Sequence, residues 1–351
     1  MSEAPVIGFK SLNDDSESSH LPTQRLMRIV RCSGYLIATI FFLLLPIIEG
    51  IAPATAQERR VVIGYVSRDL NNFPPLLAEA KGFFREAGIA PQLVQARSTV
   101  GTAALLGGSI DYFTAFSSTI QRAMQGAPLR GLLTMVDKPN FYLVSRPEIR
   151  TVADLRGKII GVGSLGTINY VVTQKVLARF GVGPEDATLM GVGDFQLRMA
   201  ALKSGSIQAT MAAPPAPVQA KEWGFNILAF AGDFVDLPLA GLSTTSSKIK
   251  AARSEVVSVI TVVLRGLQFI RANRGETIFL IQKLLKMEKA LAEAAYDLSL
   301  KSYSADGSAS AKGIQNVMEM TPTAAAGRQV TAAEVVDFGP LREAQAALGI
   351  R

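Results

Sequence analysis

Short β-branched runs alternate along this chain with segments whose apolar residues return every three or four positions. RVVIGYVS at 60–67 predicts a strand that ends in a polar loop. In PPLLAEAKGFFREAGI at 74–89, Leu76, Leu77, Ala80, Phe83 and Phe84 recur at helical spacing. Pro74 and Pro75 suit the start of that helix and Gly88 its end. PQLVQA predicts a second strand, and GTAALLGGSID belongs to the helix after it. DYFTAF at 111–116 predicts a third strand and SSTIQRAM the opening of another helix. Strand alternating with helix predicts an α/β fold with mainly parallel sheets.

The pattern then recurs. Ile63-Gly64 and Ser67 match Ile160-Gly161 and Ser164, and Ala104-Leu105-x-x-Gly108-Ser109-Ile110 matches Ala201-Leu202-x-x-Gly205-Ser206-Ile207. Ala115 matches Ala212, and every pair is 97 residues apart. A shared offset across separate blocks predicts two similar α/β lobes. FYLVSRPEIRTVADLRGK marks the join, with Thr151-x-x-Asp154 resembling a capping box. A second long link, 234–249, leaves the second lobe and leads into helices that run to the end. The expected division is 57–145 with 243–351 as one lobe and 146–242 as the other. Two crossings imply a hinge, a cleft, and C-terminal helices packed on the first lobe.

The first 56 residues differ from the rest. Arg25, Arg28 and Arg31 precede the apolar run Tyr35–Ile48, and Ala54-Thr55-Ala56 offers an A-x-A site before Gln57. Basic flank, short apolar core and small-residue site describe a secretory signal peptide. The apolar run falls short of the ~20 residues a spanning helix needs. Starting at Met27 would give a leader of ordinary length. Cleavage after Ala56 removes Cys32 and His20, the only cysteine and histidine. With them go disulfides, thiol nucleophiles, imidazole bases and Cys/His metal sites. Lys10 and three arginines leave with five carboxylates, which moves the net charge from +7 to +8. No dense Lys/Arg run of the kind nucleic acid calls for accompanies that charge.

Gly161, Gly163 and Gly166 spell G-x-G-x-x-G after an apolar run. A dinucleotide turn needs an acidic residue at the tip of the next strand. Glu185 and Asp186 precede that strand instead, so no dinucleotide and no other cofactor is expected. A strand-to-helix turn still presents backbone N–H groups to a small anion or polar head group. Ser164 and Thr167 add hydroxyls there, and Gly166 allows close approach. The matching first-lobe turn holds Ser67, Asn71, Asn72 and Phe73. Ser117 and Ser118 follow the third strand of the first lobe where Pro214 and Pro215 follow it in the second. All four turns lie at C-terminal strand ends, where open α/β sheets bind ligands. Asp194 is read as a helix N-cap, Lys138 as an exposed lysine near the hinge, and Phe141 and Tyr142 as strand packing. Trp223 and the pair Met318 and Met320 are likewise read as packing residues.

Together IGY at 63–65, PLLAEAKGFFREAGI at 75–89, ALLGGSID at 104–111, YLVSRPEIRTVADLRGKIIGV at 142–162, RMAALKSGSIQATMAAPP at 198–215 and KEWGFNIL at 221–228 carry a resemblance. Over about 60–349 the chain resembles the substrate-binding proteins of bacterial ABC importers. The resemblance is to the nitrate/sulfonate/taurine type, which shares its domain with thiamine-pyrimidine precursor binders. It implies a two-lobed type II periplasmic-binding fold that closes on one small solute and presents it to a membrane permease and its ATPase. It also implies a periplasmic monomer with no catalytic residues and no cofactor. The ligand contacts it implies are Ser67, Asn71, Asn72, Phe73, Ser117, Ser118, Ser164, Gly166, Thr167 and Pro214. The loop SRDLNNF carries larger side chains than the family's small-residue loops, which points away from a nitrate- or taurine-sized ligand. It points toward a small polar or anionic organic solute: a sulfonate, a carboxylate or a pyrimidine-like molecule. Two other readings stand beside this one, a sensory module for a membrane kinase or chemoreceptor and an enzyme of thiamine-pyrimidine synthesis.

Overall fold

The computed structural model describes residues 58–193, 195–321 and 330–350. The expected leader with Cys32 and His20 lies outside the described residues, and so does Asp194.

From Arg59 the chain alternates as the apolar spacing predicts. β1 (Arg59–Tyr65), α1 (Phe73–Ala80), α2 (Phe83–Glu86), β2 (Ile89–Gln95), α3 (Ser98–Leu106), β3 (Tyr112–Phe113), α4 (Phe116–Met124) and β4 (Leu129–Val136) form the first half. The second half repeats the order with β5 (Tyr142–Ser145), β6 (Ile159–Val162), α5 (Ile168–Arg179), β7 (Thr188–Gly191), α6 (Phe195–Ser204), β8 (Ala209–Ala212), α7 (Ala216–Glu222) and β9 (Asn226–Phe230). After β10 (Ala240–Thr245) come only helices: α8 (Ser246–Ala251), α9 (Arg253–Ala272), α10 (Arg274–Leu285), α11 (Lys289–Leu300), α12 (Ala311–Glu319) and α13 (Gly339–Ala347). Among the described residues no helix is long and apolar enough to cross a membrane.

The strands form two five-stranded sheets, ordered β2-β1-β3-β10-β4 and β7-β6-β8-β5-β9. Moving by 97 residues carries β2 onto β7, β1 onto β6, β3 onto β8 and β4 onto β9. The repeat read in the sequence is therefore a repeat of topology. In each sheet the fourth place is taken by the strand that has just crossed from the other lobe, β10 in one and β5 in the other.

β5 pairs with β8 and β9, so Tyr142–Ser145 is part of the second sheet. Likewise β10 enters the first sheet at Ala240. The crossings run at 137–141 and 231–239, a few residues ahead of the boundaries expected at 145 and 242. FYLVS reads as a strand either way; only its pairing assigns it to a lobe.

One apolar core lies under the first sheet, where Val256, Val259, Val263 and Leu267 of α9 meet Leu77 of α1 and Val61 of β1. A second core joins the lobes. Phe116 and Ile120 of α4, Leu143 of β5 and Val172 of α5 share it with Ile314, Val317 and Met318 of α12. The C-terminal helices thus pack on both lobes, not on the first alone, because the single apolar face of α12 is buried in the core the lobes share.

Candidate functional site

Sheet topology decides where the four predicted turns go. β1, β2 and β3 are parallel, as are β6, β7 and β8. The strand arriving from each crossing is antiparallel to them. Tyr142, at the start of β5, pairs with Ala212 at the end of β8. Ala240, at the start of β10, pairs with Val136 at the end of β4, and Ser243 pairs with Phe113 of β3. The C-terminal ends of both parallel sets therefore point toward the crossings. All ten predicted residues stand at those ends.

In the first-lobe turn they form a hydrogen-bonded cluster around Asp69. The Ser67 hydroxyl donates to Asp69 Oδ2 at 2.5 Å. Asp69 Oδ1 accepts from the Asn72 amide at 3.1 Å and from its Nδ2 at 2.9 Å. Asn72 Oδ1 accepts from Thr114 Oγ1 at 2.6 Å, and Asn71 Oδ1 accepts from Asn140 Nδ2 at 3.1 Å. Burial raises the Asp69 carboxyl above the usual range, and the bonds from Ser67 and Asn72 only partly offset it. The proton of Ser67 is thus committed inside the turn. Phe73 has no exposed surface and belongs to the first core.

The second-lobe turn is open to solvent. Ser164, Gly166 and Thr167 are exposed. Thr167 caps α5, its Oγ1 accepting from the Tyr170 amide at 3.5 Å and donating to the Ser164 carbonyl at 2.7 Å. Gly166 has φ +74°, and a side chain there would meet nothing within 4 Å. The left-handed backbone of the turn requires this glycine, and the space above it is free.

At the third strands, Ser117 is buried and donates to the Pro238 carbonyl, tying α4 to the second crossing. Ser118 is half-buried, and no hydrogen bond engages its hydroxyl among the described residues. α4 starts without a side-chain cap, and Ser118 lies in its first turn. Pro214 is buried at the end of β8, joined to Pro215 by a cis bond. Ser118, Ser164, Gly166 and Thr167 are thus the predicted residues most open to an incoming molecule, while Asn71, Asn72, Phe73, Ser117 and Pro214 are covered.

Sequence reasoning passed over Arg198. Its Nη1 donates to the Gly193 carbonyl at 2.9 Å and lies 3.2 Å from where a Gly163 side chain would stand. Nη2 reaches the Met211 carbonyl at 3.5 Å. Gly163 of the glycine motif thus makes room for a guanidinium at the ends of three strands. The signal was in the repeat. At offset 97 Arg198 corresponds to Gly101 and Thr210 to Phe113. The Phe113 ring fills the space over Gly101, 2.2 Å from an added Cβ. Where the first lobe packs a ring, the second places a cation and a hydroxyl.

Of the packing residues, Met318 is buried in the shared core. Tyr142 is buried and its hydroxyl donates to the Leu298 carbonyl at 2.9 Å, joining β5 to α11. Trp223 is 41% exposed, with Lys203 Nζ 3.2 Å from its ring centroid, so it sits on the surface at the end of α7.

Two α/β lobes of matching strand order, with their strand ends turned to a double crossing, define a two-lobed periplasmic-binding-protein fold. The aliphatic sulphonate binding protein SsuA of Escherichia coli superposes with a TM-score of 0.64 at 17% identity, over 75% of this chain and 91% of that one. The riboflavin-binding protein RibY of Chloroflexus aurantiacus is 24% identical over 64% of this chain and 66% of its own length, just under two thirds. A 4-amino-5-hydroxymethyl-2-methylpyrimidine phosphate synthase of Saccharomyces cerevisiae is 27% identical, over 35% of this chain and 37% of the synthase. The chain belongs to the NMT1/THI5-like family, whose model matches residues 70–277.

Proposed function

We propose that this protein is the solute-binding component of an ABC importer, held in the periplasm, that captures a small polar or anionic organic solute and delivers it to the permease. One observation carries the reading: both parallel sheets turn their C-terminal ends toward the two crossings. The Ser118 hydroxyl and uncapped α4 amides stand on one side, and Ser164, Thr167 and Arg198 on the other. Hydroxyls, helix-start amides and a guanidinium favour a sulfonate or carboxylate head group. Closing two lobes on such a ligand shifts an open–closed equilibrium through contacts made only when closed. The relatives' names agree in kind, since a sulphonate binder and a riboflavin binder are both among them.

The synthase similarity favours an enzymatic reading, but from residue 58 onward the chain has no histidine or cysteine. Imidazole and thiol chemistry would have to come from elsewhere. Mass spectrometry of small molecules released from freshly purified, denatured protein tests the proposal, followed by thermal unfolding with each candidate. A ligand at 100 times its Kd should add about 2.7 kcal/mol. Failure of sulfonates, carboxylates and pyrimidines to shift unfolding would count against a solute receptor, and turnover of any of them would favour the enzyme.

A further inference from the structure

A cavity of about 520 Å³ opens at the hinge. Lys138 reaches it from the first crossing, Asp233 and Asp236 from the second, Lys175 and Arg179 from α5, and Lys312 from α12. Four cations therefore line one cavity against two carboxylates. None of the four forms an ion pair within 4 Å or a hydrogen bond among the described residues, although nine other pairs do form.

Among the described residues no carboxylate comes within 4 Å of these cations; Lys138 acts only at longer range on the half-buried Asp137 beside it, which also feels Asp236. Asp236 Oδ2 accepts from Ser310 at 3.0 Å, and its carbonyl accepts from Asn316 Nδ2 at 2.7 Å, which fastens α12 to the crossing. Phe234 of the crossing meets Phe180, just past α5, edge-on at 5.0 Å. That contact holds the end of α5 close by and keeps Arg179 near the crossing. Like charges so gathered repel one another, and solvent and salt screen the repulsion only in part. A bound multivalent anion would cancel it.

We propose that this hinge cavity binds a small multivalent anion, at a site separate from the cleft between the strand ends. Its lining comes from both crossings, from the second lobe through α5 and from α12, which packs in the shared core. An anion bridging these elements favours one lobe angle over others, so its occupancy and that of the cleft are linked. The inference does not depend on which solute the cleft takes.

Isothermal titration of the full chain with inorganic pyrophosphate tests it. Saturable binding is expected, weakening as salt rises. The double variant Lys175→Ala/Arg179→Ala should lose at least about tenfold in affinity, while Lys283→Ala, an exposed lysine on α10, should match wild type. Hydrogen exchange at 137–140 and 231–238 should slow when pyrophosphate is bound. Circular dichroism melts of both variants establish that they fold. If the double variant does not fold, Lys138→Ala and Lys312→Ala take its place, each expected to weaken binding severalfold. Absence of binding at about 5 mM pyrophosphate, or equal weakening by Lys283→Ala, would overturn the proposal.

Discussion

Ile207 closes over Gly161, its Cδ1 2.5 Å from where a side chain on that glycine would begin. Ninety-seven residues earlier, Ile110 does the same over Gly64, with Cδ1 at 2.6 Å. The next residue repeats as well. Asp111 Oδ2 accepts from the Val62 amide at 2.8 Å, and Gln208 Oε1 from the Ile159 amide at 3.0 Å. The first glycine of the G-x-G-x-x-G run is therefore a packing residue, made necessary by an isoleucine from the neighbouring strand connection.

Gly161→Ala should cost about 1–3 kcal/mol, because the added methyl forces Ile207 from its place. Ile207→Val removes the clashing Cδ1, so the double variant should be more stable than the sum of the single losses predicts. Urea unfolding of the four proteins in a double-mutant cycle measures this coupling. Strict additivity would show that the glycine serves something other than Ile207.

Thr114→Val leaves Asn72 Oδ1 buried without its donor and should destabilise by about 1–3 kcal/mol. Thr114→Ser keeps the hydroxyl and should recover most of that loss. Chemical denaturation of both variants separates a lost hydrogen bond from a lost methyl.

Thr167→Ala removes the cap of α5 and should lower stability by about 1 kcal/mol, with Thr167→Ser close to wild type. If the exposed turn also contacts solute, the alanine variant should weaken binding by more than its stability loss explains. Calorimetry with whatever molecule is released from the purified protein gives that second number.

Tyr142→Phe breaks the bond from β5 to the Leu298 carbonyl. A loss of about 1 kcal/mol is expected, since the ring stays packed and only the hydroxyl goes. Small-angle scattering should show a larger radius of gyration if this bond also restrains the lobes, and an unchanged one if it serves local packing alone.

Asp69 should leave a pH signature. Burial raises its carboxyl above the ordinary aspartate range. The folded protein then holds the proton at pH values where the unfolded chain has lost it. Its contribution to stability is complete below the unfolded pKa and falls as pH rises through the folded one. Asp69→Asn lacks that step while sacrificing one acceptor. Its deficit relative to wild type should thus be largest at pH values below the ordinary carboxylate range and shrink as pH rises above it. Glu79 and Asp137, also raised by burial, are present in both proteins and cancel in the difference.

The alternation of β-branched runs with helical spacing was enough to read the α/β class, and a single offset of 97 was enough to read two lobes. Both are local patterns that the residues carry themselves: strand and helix bury apolar faces at different periods, and a glycine under an isoleucine leaves its mark in each copy. The chain's departures from symmetry were legible too, once Arg198 was set against Gly101. Pairing was not legible. That FYLVS belongs with β8 and β9, that α12 fills a core common to both lobes, and that Ser67 spends its proton on Asp69 all depend on partners far away in the sequence. Lys138 looked like a solitary exposed lysine, and only folding set it beside Lys175, Arg179 and Lys312. The elements and their duplication were readable from residue order, because these follow from contacts at short range. Which strand ends lie at the crossings and which charges meet came only with folding, because an antiparallel strand arriving from the other lobe orients each sheet, and no local pattern records its register.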